Sequence, residues 1–220
     1  MNMNNNYDKI VETETQNFRK LWFLDRYLQN HDGYIAGGCF KNIFNGEPVK
    51  DIDIFFRDKT DFDNAKRFYE RNEDFAMVYD NDKTIAFKDL KSTSGIVIEL
   101  IKKTFGEPIE MIEAFDFSIT KFAYYMEETP FENDEIEDDD GTYMKNKIAY
   151  HKDFFEHLTM KRLVIDNKLD HPLNTLNRSW RYAGYGYGLC RESKENLVKA
   201  LQAVPEREID FGKDFYDGVD

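Results

Sequence analysis

Two spacings of apolar residues alternate along the chain and predict both strands and helices. Short runs of β-branched and aromatic residues are typical of strands, whereas apolar positions that recur every three to four residues are typical of helices. Strands are predicted at residues 34–36, 51–56, 75–79, 84–88 and 95–101, and helices at 10–28, 61–71 and 107–114. Asp61 is the expected N-cap of the second of these helices. The pattern therefore predicts a protein built from both kinds of element.

An acidic block interrupts this pattern at residues 127–141, where nine of fifteen residues are Asp or Glu. Such a block repels itself and buries too little apolar surface to become ordered, which predicts a mobile surface loop. One alternative is a phosphate-mimicking segment that competes for a basic partner. Metal binding is a weaker alternative, because the spacing does not match an EF-hand loop.

The chain after the acidic block is predicted to be mainly helical. Strands are expected at 148–150 and 161–165, and helices at 151–158, 172–182 and 193–202, with Pro172 opening the second of these helices. The predicted organisation is an N-terminal helix at 1–29, a main domain at 30–126, the acidic loop at 127–141, a mainly helical region at 142–206 and a loose acidic tail at 207–220.

Composition narrows the class of protein. The 220 residues are enough for one sizeable core, and no apolar run approaches the length of about 20 residues needed to cross a bilayer. The polar start lacks the shape of a signal peptide, so a cytoplasmic protein without a membrane partner is expected. The net charge is −13, but residues 142–207 carry more basic than acidic side chains. This distribution is compatible with an acceptor strand that approaches from the C-terminal side.

A pair of glycines, Gly37 and Gly38, follows the predicted strand at 34–36. Without a Cβ atom they let the backbone approach a phosphate closely, and the first N–H groups of the next helix would point at the anion. Lys41 lies one turn into that helix and could add a positive charge to the same phosphate. This segment predicts a site for the phosphate groups of a nucleotide.

Three carboxylates on two predicted strands form the candidate catalytic centre. Asp51 and Asp53 are two residues apart, so both project from one face of their strand. Glu99 is the single acid in the apolar strand 95–101, and a central strand seldom buries a charge without a partner. If the two strands are neighbours, the three carboxylates converge on a two-metal site. Mg²⁺ is the expected ion, because it prefers hard oxygen ligands and bridges to substrate phosphates, and Mn²⁺ is an alternative.

These motifs resemble the DNA polymerase β-type nucleotidyltransferase superfamily, in which a GG pair, a helix, a D-x-D pair and a lone acid on a later strand follow in this order. Residues 37–55 are similar to the head of tRNA nucleotidyltransferases and bacterial poly(A) polymerases, which read GG-x-V-R-D-x-L-L-G…D-x-D. The matching positions are Gly37, Gly38, Gly46, Asp51 and Asp53. Lys41 and Asn42 replace that family's Arg-Asp pair.

The resemblance implies a fold of the α/β (α+β) class. It consists of a mixed β-sheet flanked by helices, with the nucleotidyltransferase head at residues 30–126 and a helical, neck-like C-terminal extension. It further implies a shortened and degenerate representative, of a kind that a phage could encode.

The resemblance extends beyond the head. Residues 115–120 resemble R-R-D-F-T-I-N, and Asp116 matches its acid, which could contact a ribose or cap a turn. Residues 171–186 resemble E-D-P-L-R…R-x-x-R-F at the start of the neck helix. There Arg178 and Arg181 could hold a triphosphate or an acceptor phosphate, the alternative being an exposed salt-bridging face. Asp116, Arg178 and Arg181 thus join Gly37, Gly38 and Lys41 as candidate nucleotide-binding residues.

The expected reaction transfers a nucleoside monophosphate from an NTP to a hydroxyl and releases pyrophosphate. Asp51, Asp53 and Glu99 would be both its metal ligands and its catalytic residues. The acceptor that the resemblance implies is an RNA 3′ end. Two alternatives are a nucleotidyltransferase that modifies a protein or a small molecule, as toxin-like and antibiotic-modifying relatives do, and a non-catalytic acidic inhibitor or binding protein on the same fold.

Overall fold

The structure is a computed structural model that describes residues 11–12, 18–130, 142–166 and 168–205. Within these ranges, eight strands form one mixed sheet flanked by helices, which confirms the expected fold class. In spatial order the strands are β1 (Val11–Glu12), β8 (Thr142–Tyr150), β7 (Phe122–Pro130), β2 (Tyr34–Ala36), β3 (Asp51–Phe56), β6 (Val97–Phe105), β5 (Thr84–Asp89) and β4 (Phe75–Asp80). The helices are α1 (Cys39–Asn45), α2 (Lys59–Arg71), α3 (Pro108–Glu113), α4 (Phe154–Thr159), α5 (Pro172–Gly184) and α6 (Arg191–Gln202).

The two faces of the sheet have different surroundings, as β3 illustrates. Ile52 and Ile54 are fully buried in the larger hydrophobic cluster, to which α1 and α2 also contribute. Asp51, Asp53 and Phe55 alternate with them and therefore project from the opposite face. Phe55 packs there against a smaller cluster that includes residues of α3. The polar side chains of β3 thus lie beside this smaller cluster and not in the main core.

The N-terminal helix predicted at 10–28 is wrong in both extent and type. Val11–Glu12 is strand β1, which pairs antiparallel with β8, and Arg19–Tyr27 is a 3₁₀ helix. The buried apolar residues there are spaced by three: Phe18, Leu21, Leu24 and Tyr27. A 3₁₀ helix has three residues per turn, so this spacing places all four side chains on one face, whereas Trp22 remains exposed.

Helix α2 begins earlier than predicted, and Asp58, not Asp61, is its N-cap. The Asp58 backbone is extended, and its Oδ1 accepts hydrogen bonds from the backbone N–H groups of Thr60 (2.7 Å) and Asp61 (3.0 Å). Asp61 instead lies in the first turn. The pKa of its carboxyl is raised by burial and by the neighbouring Asp58 and Asp32 carboxylates, so its charge is poorly stabilised there.

Asp58→Ala should lower the free energy of unfolding by about 1 kcal/mol, because two N–H groups of the first turn lose their acceptor. Asp61→Ala is the matched control and should change the free energy of unfolding by less than about 0.5 kcal/mol. Urea denaturation of both variants tests the assignment. An equal loss in the two variants would contradict it.

The acidic block begins as part of a hairpin and not as a loop. Glu127 to Pro130 continue strand β7 and pair with β8, and Glu127 forms an ion pair with Lys147 on that strand. Cross-strand pairs of opposite charge favour strand pairing, which offsets the local excess of acids. The rest of the loop predicted at 127–141, residues 131–141, lies outside the described residues, as does the predicted tail at 207–220.

The C-terminal region contains the predicted helices, with shifted boundaries. Helix α5 runs two residues further than predicted, α6 begins two residues earlier, and α4 replaces the longer helix expected at 151–158. Strand β8 extends well before residue 148. The strand expected at 161–165 is only β9 (Arg162–Leu163), which pairs in parallel with β10 (Gly188–Leu189). In the described part of the chain, no helix is long and apolar enough to span a membrane.

A buried ionic network links the end of the head to the C-terminal region. Lys121, whose side chain is 1% exposed, donates to Oδ1 of Asp166 at 2.6 Å, and Nε2 of His151 lies 2.7 Å from Oδ2 of the same carboxylate. The hydrogen bonds from His151 and Lys121 hold the pKa of the Asp166 carboxyl well below its usual range, although burial opposes them. This network therefore requires an ionised Asp166.

Candidate active site

The glycine pair forms a tight turn directly beside the carboxylates of β3. Gly37 has a φ of +105°, and its N–H donates to the carbonyl of Phe122 on β7 at 3.1 Å. A Cβ atom at Gly37 would lie 3.6 Å from Oδ2 of Asp53, and one at Gly38 would lie 3.3 Å from the Tyr182 hydroxyl. The turn thus lies between Asp53 and helix α5, and a side chain at position 38 would crowd the Tyr182 hydroxyl.

Gly37→Ala should reduce the free energy of unfolding by about 1–3 kcal/mol, because an L-residue at this φ is strained whatever the available space. Gly184→Ala at the end of α5 is the matched control, since nothing lies within 4 Å of the added methyl group. We expect that variant to be as stable as the parent or slightly more stable. Thermal denaturation of both variants checks this, and an unchanged Tm for Gly37→Ala would contradict it.

The parallel pairing of β3 with β6 brings the three candidate catalytic carboxylates to one face of the sheet. Asp53 is in register with Glu99, and Asp51 lies two residues earlier on the same face. Burial raises the pKa of the Asp53 carboxyl to about 7, with further increases from the Glu99 and Asp51 carboxylates, while Arg181 lowers it. The cluster therefore carries more negative charge than the surrounding side chains balance.

A tyrosine that the sequence did not single out contacts this cluster. The Tyr79 hydroxyl on β4 donates to Oε1 of Glu99 at 2.5 Å. Burial, the hydrogen bond to Glu99 and the charge of Glu99 raise the pKa of Tyr79 to about 12, so the phenol is a neutral donor. The predicted hairpin places Tyr79 opposite residue 84, whereas the observed register pairs it with Ala86. Its contact with Glu99 further depends on how β5 pairs with β6.

Helix α5 contributes two of the candidate nucleotide-binding residues. Arg178 Nη1 lies 2.8 Å from Oδ2 of Asp116, but the two atoms do not have hydrogen-bond geometry. This buried oxygen therefore has no hydrogen-bond donor among the described residues. Arg181 is exposed and close enough to Asp53 to lower the pKa of that carboxyl. Tyr182 is buried and packs edge-on against Phe117. Thus α5 covers the glycine turn and places one cation beside the carboxylates.

The partners of Lys41 lie outside the carboxylate cluster. Its Nζ donates to Oε2 of Glu47 at 2.6 Å and lies 4.9 Å from the centroid of the Tyr185 ring. Only 6% of the Lys41 side chain is exposed. The ion pair with Glu47 would have to break before this ammonium group could reach a phosphate.

The donor atoms of the cluster suit a hard divalent cation. Among the described residues, no three His, Cys, Asp or Glu side chains already surround one point where an ion could bind. Asp51, Asp53 and Glu99 nevertheless supply carboxylate oxygens with uncompensated charge, as the raised pKa of Asp53 indicates. Mg²⁺ commonly binds to one or two carboxylates together with substrate phosphates, so a complete protein cage is not needed.

Solved structures with this fold include the following three. A CCA-adding enzyme in complex with ATP matches with a TM-score of 0.60 and 13% identity, over 95% of this chain and 50% of that chain. A tRNA-processing enzyme in an apo form matches with a TM-score of 0.52 and 18% identity, over 84% and 49%. A tRNA nucleotidyltransferase complexed with a primer tRNA and an incoming ATP analogue matches with a TM-score of 0.50 and 18% identity, over 78% and 47%. At these identities the matches support a shared fold and no more.

The sequence comparisons lead to a family. A curated relative, the "Gabija anti-defense 2" protein of Bacillus phage SPbetaL7, is 23% identical over 177 residues, which cover 78% of this chain and 38% of the relative. The chain thus spans well under half the length of that relative. The family model described as "Gabija anti-defense 2 family protein" matches residues 12–161, which are more than half of the chain. This chain therefore belongs to the Gabija anti-defense 2 family.

Proposed function

We propose that the chain is a nucleotidyltransferase, which moves a nucleoside monophosphate from an NTP to a hydroxyl and releases pyrophosphate. The observation that carries this proposal is the carboxylate cluster, in which Asp53 and Glu99 are in register on neighbouring strands beside the Gly37 turn. Phosphoryl-group transfer depends on positioning and on charge neutralisation, and it needs little covalent chemistry from the protein. A cluster of carboxylates that lacks compensating charge suits this reaction.

The proposed metal ligands are Asp51, Asp53 and Glu99. Asp51 and Asp53 would hold two Mg²⁺ ions, and Glu99 would hold the ion on the acceptor side. When bound, such ions neutralise phosphate charge and lower the pKa of an attacking hydroxyl. The chain itself contributes a rigid placement of the three carboxylates, since two of them are fixed by the registered pairing of β3 and β6.

The remaining candidate residues would bind the nucleotide. Gly37 and Gly38 leave room for phosphate oxygens beside Asp53. Arg181 is exposed and would contact the triphosphate, whereas Arg178 is held by Asp116. The buried Oδ2 atom of Asp116 lacks a hydrogen-bond donor, which a ribose hydroxyl could supply. A role for Lys41 in this site requires release from Glu47.

RNA is the acceptor that we favour, with its 3′ end as the attacking hydroxyl. The surplus of basic residues at 142–207 supports this, because phosphate contacts supply much of the affinity for nucleic acids. One structure with the same fold contains a primer tRNA. A protein or small-molecule acceptor remains the alternative within the same chemistry.

The family name supports a biological role. We propose that the transfer reaction counteracts the Gabija defence to which the name refers, in the cytoplasm of the phage-infected host. A non-catalytic inhibitor on the same fold is the competing explanation. Anti-defence activity that survives the loss of Asp51 and Asp53 would favour the inhibitor.

The first test is incubation of the pure protein with Mg²⁺, each α-labelled NTP in turn and total RNA, beside an Asp51→Ala/Asp53→Ala variant. Label on RNA from the parent protein only would support the proposal and identify the nucleotide. Parallel reactions with host lysate test protein and small-molecule acceptors. If no acceptor is labelled in any reaction, the proposed catalysis is wrong.

Arg181→Gln should raise the KM for the NTP about tenfold with a smaller effect on kcat, because one charge-assisted contact to the triphosphate is lost. The matched control is Arg191→Gln on α6, since the Arg191 side chain is 94% exposed and pairs with Glu195 of the same helix. Initial rates at varied NTP concentration give both constants. An equal change in the two variants would contradict the assigned contact.

A further inference from the structure

One row of residues crosses four strands and ends at the candidate catalytic centre. Tyr79 on β4 is in register with Ala86 on β5, Ala86 with Glu99 on β6, and Glu99 with Asp53 on β3. The side chains in such a row project from the same face of the sheet. Because Ala86 is small, the Tyr79 phenol can extend across β5 and donate to Oε1 of Glu99 at 2.5 Å.

The Tyr79 hydroxyl is chemically suited to receive the transferred nucleoside monophosphate. In the proposed function, Glu99 is the carboxylate on the side of the attacking hydroxyl. The hydroxyl that contacts this carboxylate in the structure belongs to the protein itself. Tyr79 is 38% exposed, and the negative charge of Asp53 also acts on it. A nucleotide bound beside the carboxylates would therefore meet a phenol that is already positioned next to Glu99.

Other tyrosines of the described chain make different contacts. Tyr34 donates to the carbonyl of Gly106, Tyr69 donates to the carbonyl of Tyr27, and Tyr124 bonds to Asp25. All three are buried. Tyr143 is as exposed as Tyr79, at 38%, but lies on β8, on the far side of β3 from β6 in the sheet order. Exposure alone thus does not distinguish Tyr79; its contact with Glu99 does.

We propose that Tyr79 is a self-modification site, at which the chain transfers a nucleoside monophosphate from an NTP to its own phenol. The inference rests on the proposed function, because the same centre performs both transfers. The phenol oxygen attacks the α-phosphorus, a bond between phosphorus and the Tyr79 oxygen forms, and the bond from the α-phosphorus to the bridging oxygen of pyrophosphate breaks. The phenol proton passes to the Glu99 carboxylate, and pyrophosphate leaves.

This modification would limit the enzyme's own activity. The phosphodiester on Tyr79 adds a negative charge beside Glu99 and Asp53, where the charge is already poorly balanced. It also removes the hydroxyl that donates to Glu99. We expect modified molecules to label an added acceptor more slowly than unmodified ones.

The test is intact-mass and peptide mass spectrometry after incubation with Mg²⁺ and each NTP. The parent and the matched control Tyr143→Phe should gain one nucleoside monophosphate, mapped to Tyr79, whereas Tyr79→Phe and Asp53→Asn should gain none. A mixture of Tyr79→Phe and Asp53→Asn chains should also remain unmodified, because the phenol and the carboxylates of one chain contact each other. Mass spectrometry of protein purified directly from expressing cells tests independently for the same adduct.

Several results would overturn the proposal. These are an adduct that persists in Tyr79→Phe, an adduct mapped to another residue, or no adduct on the parent. RNA labelling in the same tubes separates this failure from failure of the proposed function: labelled RNA without an adduct on the parent rejects Tyr79 as acceptor and leaves the proposed function standing. Loss of RNA labelling in Tyr79→Phe without any adduct on the parent would make Tyr79 a positioning residue for Glu99 and also rejects the proposal.

Discussion

Replacement of Asp53 by asparagine is expected to abolish nucleotidyl transfer and, at the same time, to stabilise the metal-free protein. Asp53 is the carboxylate in register with Glu99, and its loss should reduce kcat by at least about 10²-fold, as the loss of one preorganised electrostatic group does elsewhere. Burial and the neighbouring acids raise the pKa of Asp53 to about 7. The unfolded chain therefore loses this proton at lower pH than the folded chain, so stability falls as the pH rises between about 4 and 7.

The neutral amide of Asp53→Asn removes this penalty. Above pH 7 and in the presence of a chelator, we expect a gain of about 1 kcal/mol, which corresponds to about 2–4 °C in Tm for a chain of this size. Asp63→Asn is the control, because Asp63 is exposed on α2 and pairs with Lys59 within that helix. Thermal denaturation with a chelator and the labelled-NTP assay are the two measurements. A variant that is inactive and also less stable than the parent would contradict the repulsion that we infer.

Lys121→Met should produce the largest loss of stability, about 2–4 kcal/mol, because it removes a buried ammonium group from the Asp166 carboxylate, whose side chain is 21% exposed, and leaves His151 as the remaining partner in this network. Lys59→Met removes an exposed ion pair within α2 and should cost less than about 0.5 kcal/mol. Chemical denaturation of both variants gives these values. A small loss for Lys121→Met would mean that the network contributes little.

The double variant Lys121→Met/Asp166→Asn tests the same network from the other side. Removal of both charges should recover part of the loss, since the cost of breaking a buried pair is mainly that of the remaining charge. The pH dependence has a defined sign. The pKa of Asp166 is held below its usual range, so its contribution is present above about pH 4 and is lost as the pH falls through the lower, folded-state value. Two strictly additive single losses would contradict the coupling.

The elements that the sequence predicted well are those that depend on local pattern. The hairpin of β4 and β5, the strand that carries Asp51 and Asp53 and the helix opened by Pro172 all follow from the alternation of residues or from a backbone restriction of proline. The N-terminal segment differs from the predicted helix, because Trp22 fits an α-helical spacing but is exposed, whereas the buried residues are spaced by three. The N-cap of α2 is Asp58 and not Asp61 because the Asp58 backbone is extended, and composition does not reveal which of the two residues has that backbone.

The candidate site divides in the same way. Gly37, Gly38 and the pair on β3 are close in sequence, so their spacing predicts a common site. Two contacts at the site cross the fold: Tyr79 reaches Glu99 across β5, and Arg178 on α5 reaches Asp116. These contacts depend on strand order and helix docking, for which the local sequence carries no signal.

The parallel pairing of β3 with β6 also determines when the centre can form during folding. Parallel neighbours require a long crossover, and here α2 and the hairpin of β4 and β5 lie between the two strands in sequence. Long-range pairings of this kind form late, because the entropy of closing the intervening loop must first be overcome. A nascent chain that ends before β6 holds Asp51 and Asp53 but no centre. Under the proposed function, transfer activity therefore requires β6 to dock beside β3.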